Sequence, residues 1–116
     1  MTETAKDCIF CRIAAKEIPS KLVFEDDRVV AFEDIQPQAP GHFLLVPKRH
    51  IARPRDLQEQ DEALAGHILR VAGEIARKKG LGSYRLVAND GEEAGQVVQH
   101  VHFHMLAGRP MGWPPG

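Results

Sequence analysis

Hydrophobic and polar positions recur along this chain with two different periods, and the switches between them mark out its elements. CIFCRIAAKEI, from Cys8 to Ile18, sets Cys8, Ile9, Cys11, Ile13 and Ala14 at helical spacings and predicts a short helix that Pro19 stops. KLVFE and RVVAFED are β-branched and aromatic runs separated by Asp26 and Asp27, which predicts a tight antiparallel hairpin. IQPQAPG, with Pro37 and Pro40, cannot continue a strand ladder and reads as a surface loop leading into the strand HFLLVP. After Pro47, KRHIARPRD is irregular. QEQDEALAGHILRVAGEIARKKG then places Leu64, Ile68, Leu69, Val71 and Ile75 at helical spacing, with an acidic start and Arg77, Lys78 and Lys79 before Gly80, as the helix dipole and the usual C-terminal glycine favour. YRLVAND is a strand that closes on the turn Asn89, Asp90, Gly91; EEAGQ is a loop, and VVQHVHFHMLAG is the last strand. The pattern predicts an α+β fold: an antiparallel sheet of about five strands with one long helix and a short N-terminal helix. Residues 1–116 form a single domain in this reading, with an extended tail over 109–116.

Composition narrows the function classes without choosing one. The chain has 116 residues, enough for one hydrophobic core and too few for two. Its net charge of -1 provides no positive field for a polyanionic backbone, so sequence-independent nucleic-acid binding is not expected and any phosphate must be held locally. No apolar run approaches the roughly 20 residues that span a bilayer, and the start MTETAKD is polar where a signal peptide is apolar. A cytoplasmic protein without membrane contact is expected.

The histidines carry more information. Along an extended strand His100, His102 and His104 project from one face at intervals of about 7 Å, while Val101, Phe103 and Met105 project from the other. Each imidazole has two ring nitrogens to satisfy, so this face is expected to border water, a ligand or a metal. An exposed face without function and an open three-histidine metal site both fit the alternation. Cys8 and Cys11 form a C-x-x-C pair that suggests metal or redox chemistry in a reducing compartment. Redox chemistry is disfavoured because the motif does not follow a first strand as in thioredoxin-like folds. His67, inside the long helix, reads as structural.

HVHFHML fits the pattern His-x-His-x-His-x-x with apolar x, and together with FEDDRVVAFEDIQPQAPGHFLLVPKRHI and the closing WPPG it resembles the nucleotide-binding branch of the histidine triad family. The resemblance covers nearly the whole chain. It implies a histidine-triad-like α+β fold, and a homodimer in which two sheets join and each subunit holds a nucleotide site. The implied chemistry is hydrolysis or transfer at the α-phosphorus of purine nucleoside phosphoramidates through a covalent nucleotidyl-histidine, releasing AMP or GMP. His102 corresponds to the attacking residue, and a neutral imidazole is both a good nucleophile near pH 7 and a good leaving group. The carbonyl of His100 would orient it, His104 would contact phosphate and assist the leaving group, and His42 matches a further active-site histidine. Asp34 and Ile35 match positions that hold the ribose hydroxyls and stack on the base. Phe10, Ile18 and Phe32 match the base pocket, although each alone is more often plain core. Asn89 resembles a phosphate-side hydrogen-bonding residue, although an Asn before Asp-Gly is first a turn residue. One departure stands out: Gln96, Val97 and Val98 occupy the segment where relatives carry a phosphate-contacting serine.

Cys8 and Cys11 with His50 and His100 would complete a Cys2His2 set of the kind some family members use for structural zinc. The ring of His100 would then serve the metal while its carbonyl serves His102. Two buried thiols and a surface His50 are the plainer alternative. No organic cofactor is implied. Rival functions are a dinucleoside polyphosphate hydrolase, a mainly non-catalytic purine-nucleotide-binding regulatory protein, and a zinc enzyme in which all three triad histidines bind metal. Short length, near-neutral charge and the WPPG tail argue against a branch that acts on DNA ends. The tail around Trp113 is expected to cap the domain or to reach toward the partner subunit.

Overall fold

Cys8 caps the first helix: its Sγ accepts a hydrogen bond from the Cys11 N–H at 3.4 Å. The computed structural model describes residues 7–116; the polar start MTETAK lies outside the described residues. Helix α1 (Ile9–Ala14) buries Phe10, Cys11 and Ile13. It ends sooner than the apolar spacing to Ile18 predicts, because Lys16 takes a left-handed backbone (φ 64) and its amine pairs with Glu25 at 2.7 Å. Beyond Ala14 the side chains turn polar, and too little apolar surface remains for the helix to bury.

The hairpin forms as its sequence predicts. Strands β1 (Leu22–Glu25) and β2 (Val29–Glu33) pair antiparallel, and Asp26 Oδ1 closes the turn by accepting from the N–H groups of Arg28 and Val29, each at 2.8 Å. Strand β3 (Gly41–Pro47) follows the proline loop, and strands β4 (Tyr84–Ala88) and β5 (Phe103–Ala107) complete an antiparallel sheet of order β1-β2-β3-β5-β4. Helix α2 (Glu62–Lys79) ends at Gly80, whose φ of 67 lets its N–H reach back to the carbonyls of Ala76 and Arg77. His67 in this helix lies 2.5 Å from Asp26 Oδ2, which ties α2 to the hairpin turn.

Two cores result, one on each face of the sheet. Val29, Ala31, Phe43, Leu45 and Met105 pack against Ile68, Val71, Ala72 and Ile75 of α2. Val30, Phe32, Leu44 and Val46 pack against Phe10 and Ile13 of α1. Covered on both sides, β2 and β3 have no solvent face to mark with polar residues, which is why RVVAF and HFLLV read as unbroken apolar runs. None of the described helices is long and apolar enough to cross a membrane.

The last strand is shorter than VVQHVHFHMLAG predicts: pairing begins at Phe103. The residues before it are held by other means. Gln96, only 2% exposed, accepts from the Gly91 N–H at 2.8 Å and donates to the carbonyls of Ala52 at 2.7 Å and Val98 at 3.0 Å. One buried amide thus satisfies backbone groups that a ladder would otherwise have to satisfy. Replacing Gln96→Leu keeps the volume but takes this partner from the Gly91 N–H and the Ala52 carbonyl, while the Val98 carbonyl keeps the His100 N–H at 2.9 Å, and is expected to lower unfolding free energy by about 2 kcal/mol in a urea titration.

Candidate functional site

Strand register builds the first half of the site. His104 pairs with Leu44, which faces α1, and His42 stands two residues from Leu44 on the same face of β3. His42 Nε2 and His104 Nδ1 come within 2.9 Å, and Asp34 Oδ2 lies 3.5 Å from His42 Nε2. Asp34 itself is fixed just past β2, where its Oδ1 accepts from the Gln36 N–H at 2.8 Å.

His102 sits just before β5. Its Nδ1 donates to the carbonyl of His100 at 2.7 Å, which assigns the ring proton to Nδ1 and leaves the lone pair on Nε2. The ring is buried, with Phe10 edge-on at 5.1 Å and His104 also at 5.1 Å between centroids. Burial holds its pKa below the ordinary histidine value, against the opposing influence of the His100 carbonyl and Asp34. Burial likewise lowers His42, and lowers His104 together with the neighbouring rings of His102 and His42. All three are neutral imidazoles near pH 7. His100 and His102 are both buried, and a backbone carbonyl satisfies one nitrogen of each ring where solvent does not reach.

His100 is turned the other way. Its Nε2 donates to the Pro47 carbonyl at 2.8 Å, so the lone pair on Nδ1 faces Cys8 Sγ at 3.2 Å, Cys11 Sγ at 3.5 Å and His50 Nδ1 at 3.2 Å. Cys11 Sγ and His50 Nδ1 are 3.3 Å apart. Zinc bonds of about 2.3 Å to sulfur and about 2.0 Å to nitrogen set the ligand atoms of a tetrahedron roughly 3.5 Å apart. Two thiols and two imidazole nitrogens at these separations therefore have both the chemistry and the spacing for a four-coordinate metal. Burial drives the pKa of His100 down to about 4, which keeps its Nδ1 unprotonated. The ring of His50 is turned into this group and is not a free surface side chain.

Beside the rings lies a cavity of about 730 Å³ whose walls include Phe10, Ile18, Phe32, Asp34 and Ile35. Phe10 and Phe32 meet edge to face at 5.7 Å, and Ile35 stands at the mouth with 93% of its surface exposed. The five residues expected to hold a nucleoside are thus together, and Phe10 joins their cavity to His102. Asn89 stays in the turn after β4 with its amide against Gly95, 3.4 Å from where a Cβ there would sit; no hydrogen bond joins it to a triad ring among the described residues. Val97, in the segment that departs from the serine pattern, is 89% exposed.

The fold recurs in known proteins. A model of the HIT domain matches residues 15–111. The chain belongs to the HIT domain family. An uncharacterized HIT-like protein of Synechocystis is 49% identical over 113 residues, which is 97% of this chain and 99% of that one. The crystal structure of a HIT family hydrolase from Legionella pneumophila is 49% identical, superposes with a TM-score of 0.92, and is matched over 95% of this chain and 100% of its own. A histidine triad protein from Clostridium difficile is 44% identical with a TM-score of 0.91, over 94% and 96% of the two chains. The five-stranded antiparallel sheet with its long and short helices is therefore the HIT fold.

Two contributors to this HIT site are not visible to sequence reasoning: the Pro47 carbonyl and the Gln38 N–H. Both act through the main chain, which no residue type reveals.

Proposed function

We propose that this HIT protein is a purine nucleoside phosphoramidate hydrolase that acts at the α-phosphorus through a nucleotidyl-His102 intermediate. The observation that carries the reading is the fixed tautomer of His102, with Nδ1–H on the His100 carbonyl at 2.7 Å and the lone pair free on Nε2, beside an apolar cavity edged by a carboxylate. The purine lies against Phe10, Ile18, Phe32 and Ile35, and Asp34 accepts from the ribose hydroxyls. His102 Nε2 attacks phosphorus, the P–N bond breaks, and the amine leaves, taking a proton from solvent. His104 steadies the transition state by donating a hydrogen bond to the phosphoryl group, and His42 supports His104 from behind. Asn89 assists on the phosphate side. Water then forms a new O–P bond, the bond from His102 to phosphorus breaks, and AMP or GMP is released with a proton to solvent.

Cys8, Cys11, His50 and His100 hold a structural zinc in this reading, and the protein works in the cytoplasm without nucleic-acid or membrane partners. Its homodimer forms along β4, an edge strand without a bulge, rather than along β1, whose register shifts between Leu22 and Phe24. Side-by-side turnover of an AMP–amine conjugate and a diadenosine polyphosphate tests the substrate class. The conjugate is expected to be cleaved at least about tenfold faster in kcat/KM; the reverse order would make this a dinucleoside polyphosphate hydrolase.

A further inference from the structure

The loop between β2 and β3 reaches the site through its main chain. The Gln38 N–H donates to His42 Nδ1 at 3.0 Å, so the neutral ring of His42 keeps its lone pair on Nδ1 and its proton on Nε2. That Nε2–H faces His104 Nδ1 at 2.9 Å, so His104 must accept at Nδ1 and carry its own proton on Nε2. One backbone amide therefore sets two tautomers in series.

Gln38 is itself held from the far side. Arg109 Nε and one of its terminal nitrogens each donate to the Gln38 carbonyl at 3.1 Å, and its other terminal nitrogen donates to the Pro110 carbonyl at 3.1 Å. Arg109 reaches the loop because Gly108, at φ 93, turns the chain leaving β5 tightly against Pro40, where a Cβ would come within 2.8 Å of the proline ring. Pro37 and Pro40 bracket Gln38 and narrow its backbone freedom, and Ala39 between them is buried.

The same amide decides what Asp34, His42 and His104 do together. Their ligand atoms lie within 4.8 Å of one another, close enough for a cation. A metal on His42 Nε2 would need the lone pair there and the proton on Nδ1, where it would meet the Gln38 N–H donor to donor. The Cys2His2 group has no such conflict, since His100 aims a lone pair at its partners.

We propose that the Gln38 main-chain amide, clamped by Arg109, is a positioning group: it fixes His42 and His104 as Nε2–H tautomers, so that His104 presents a hydrogen-bond donor to the phosphoryl group and the trio rejects cations. The effect on turnover rests on the reading of His104 as that donor; the tautomer assignment does not.

Long-range proton–nitrogen NMR of the histidine rings in the metal-loaded full chain tests it at neutral pH. The wild type should show Nε2–H for both His42 and His104. Gln38→Pro removes the N–H, and an Nδ1–H form of His42 should emerge, kcat should fall about tenfold with KM little changed, and Zn2+ titration should fill about one further site per chain. Gln38→Ala keeps the N–H and should keep both tautomers. Arg109→Ala, which leaves the loop sequence intact, should shift the same resonances part-way, so the test survives a poorly folding Gln38→Pro. An Nδ1–H ring at either histidine in the wild type overturns the proposal, as do unchanged tautomers in a folded Gln38→Pro. Shifted tautomers with wild-type kcat overturn the positioning role. Both Nε2–H rings in a protein that cleaves no phosphoramidate support the amide's role while removing the proposed function.

Discussion

His102→Ala is expected to lower phosphoramidate turnover by about 10⁴-fold or more while nucleotide affinity stays within about threefold. The two parts of that result come from different groups. The lone pair that forms the bond to phosphorus is on His102 Nε2, and no neighbour can replace it: His104 Nδ1 is engaged by His42 at 2.9 Å and His100 Nδ1 is turned to the cysteines. The cavity walls Phe10, Ile18, Phe32 and Ile35 and the carboxylate of Asp34 remain, so ground-state binding is retained. Single-turnover kinetics on a labelled AMP–amine conjugate would also show loss of the protein-bound nucleotide. A variant that keeps a tenth of wild-type turnover would rule out covalent catalysis by this residue. Metal content should not change, because His102 is not among the four ligand residues; a loss of zinc would instead favour a cluster built on all three triad histidines.

Removing the metal should act more broadly. Protein purified without chelator is expected to hold about one zinc per chain, and Cys8→Ser with Cys11→Ser should abolish it, lower Tm by about 10 °C or more and weaken nucleotide binding about tenfold. The loss of affinity follows from where Phe10 sits. It lies between the two cysteines on a helix of six residues, and its ring touches His102, His100 and Phe32 while lining the cavity. So short a helix has little stability of its own, so the metal and the packing of Phe10 and Ile13 must hold it. Metal analysis, thermal unfolding and nucleotide titration on the same preparation would separate the effects. Zinc below a few tenths of an equivalent in the wild type would refute the metal site; full loss of zinc with unchanged affinity would refute the link through Phe10.

The elements that read cleanly from sequence are those in which side-chain type and backbone geometry agree. The Asp26 turn, the apolar stripe of α2 and its terminal Gly80 are each specified locally, and the structure follows them. The end of α1 and the start of β5 fall short of their sequence patterns. The chain bends at Val98, Gln99 and His100, the His100 N–H turns back to the Val98 carbonyl at 2.9 Å and the Val101 N–H reaches the Ile51 carbonyl at 2.6 Å, so alternation of His100 and His102 does not mark a paired strand. The candidate site was legible as far as it consists of side chains: the histidines, the cysteines, Asp34 and the cavity residues could all be named. Which nitrogen of each ring holds its proton could not, because carbonyls of His100 and Pro47 and the N–H of Gln38 decide it. These groups exist at nearly every position of any chain, and only the fold makes them particular.

The sheet with a core on each face divides the labour of the molecule unevenly. The α2 side is built from aliphatic contacts such as Leu45, Ile68, Val71 and Met105, and none of the triad or cysteine residues belongs to that cluster. It behaves as ballast, a reserve that can drift in sequence so long as volume is kept, with consequences for melting but little for chemistry. The α1 side enjoys no such freedom. Phe10 is at once core, cavity wall and neighbour of the nucleophile, so mutational robustness is lopsided: the same loss of one methylene is absorbed beneath one helix and felt in catalysis beneath the other.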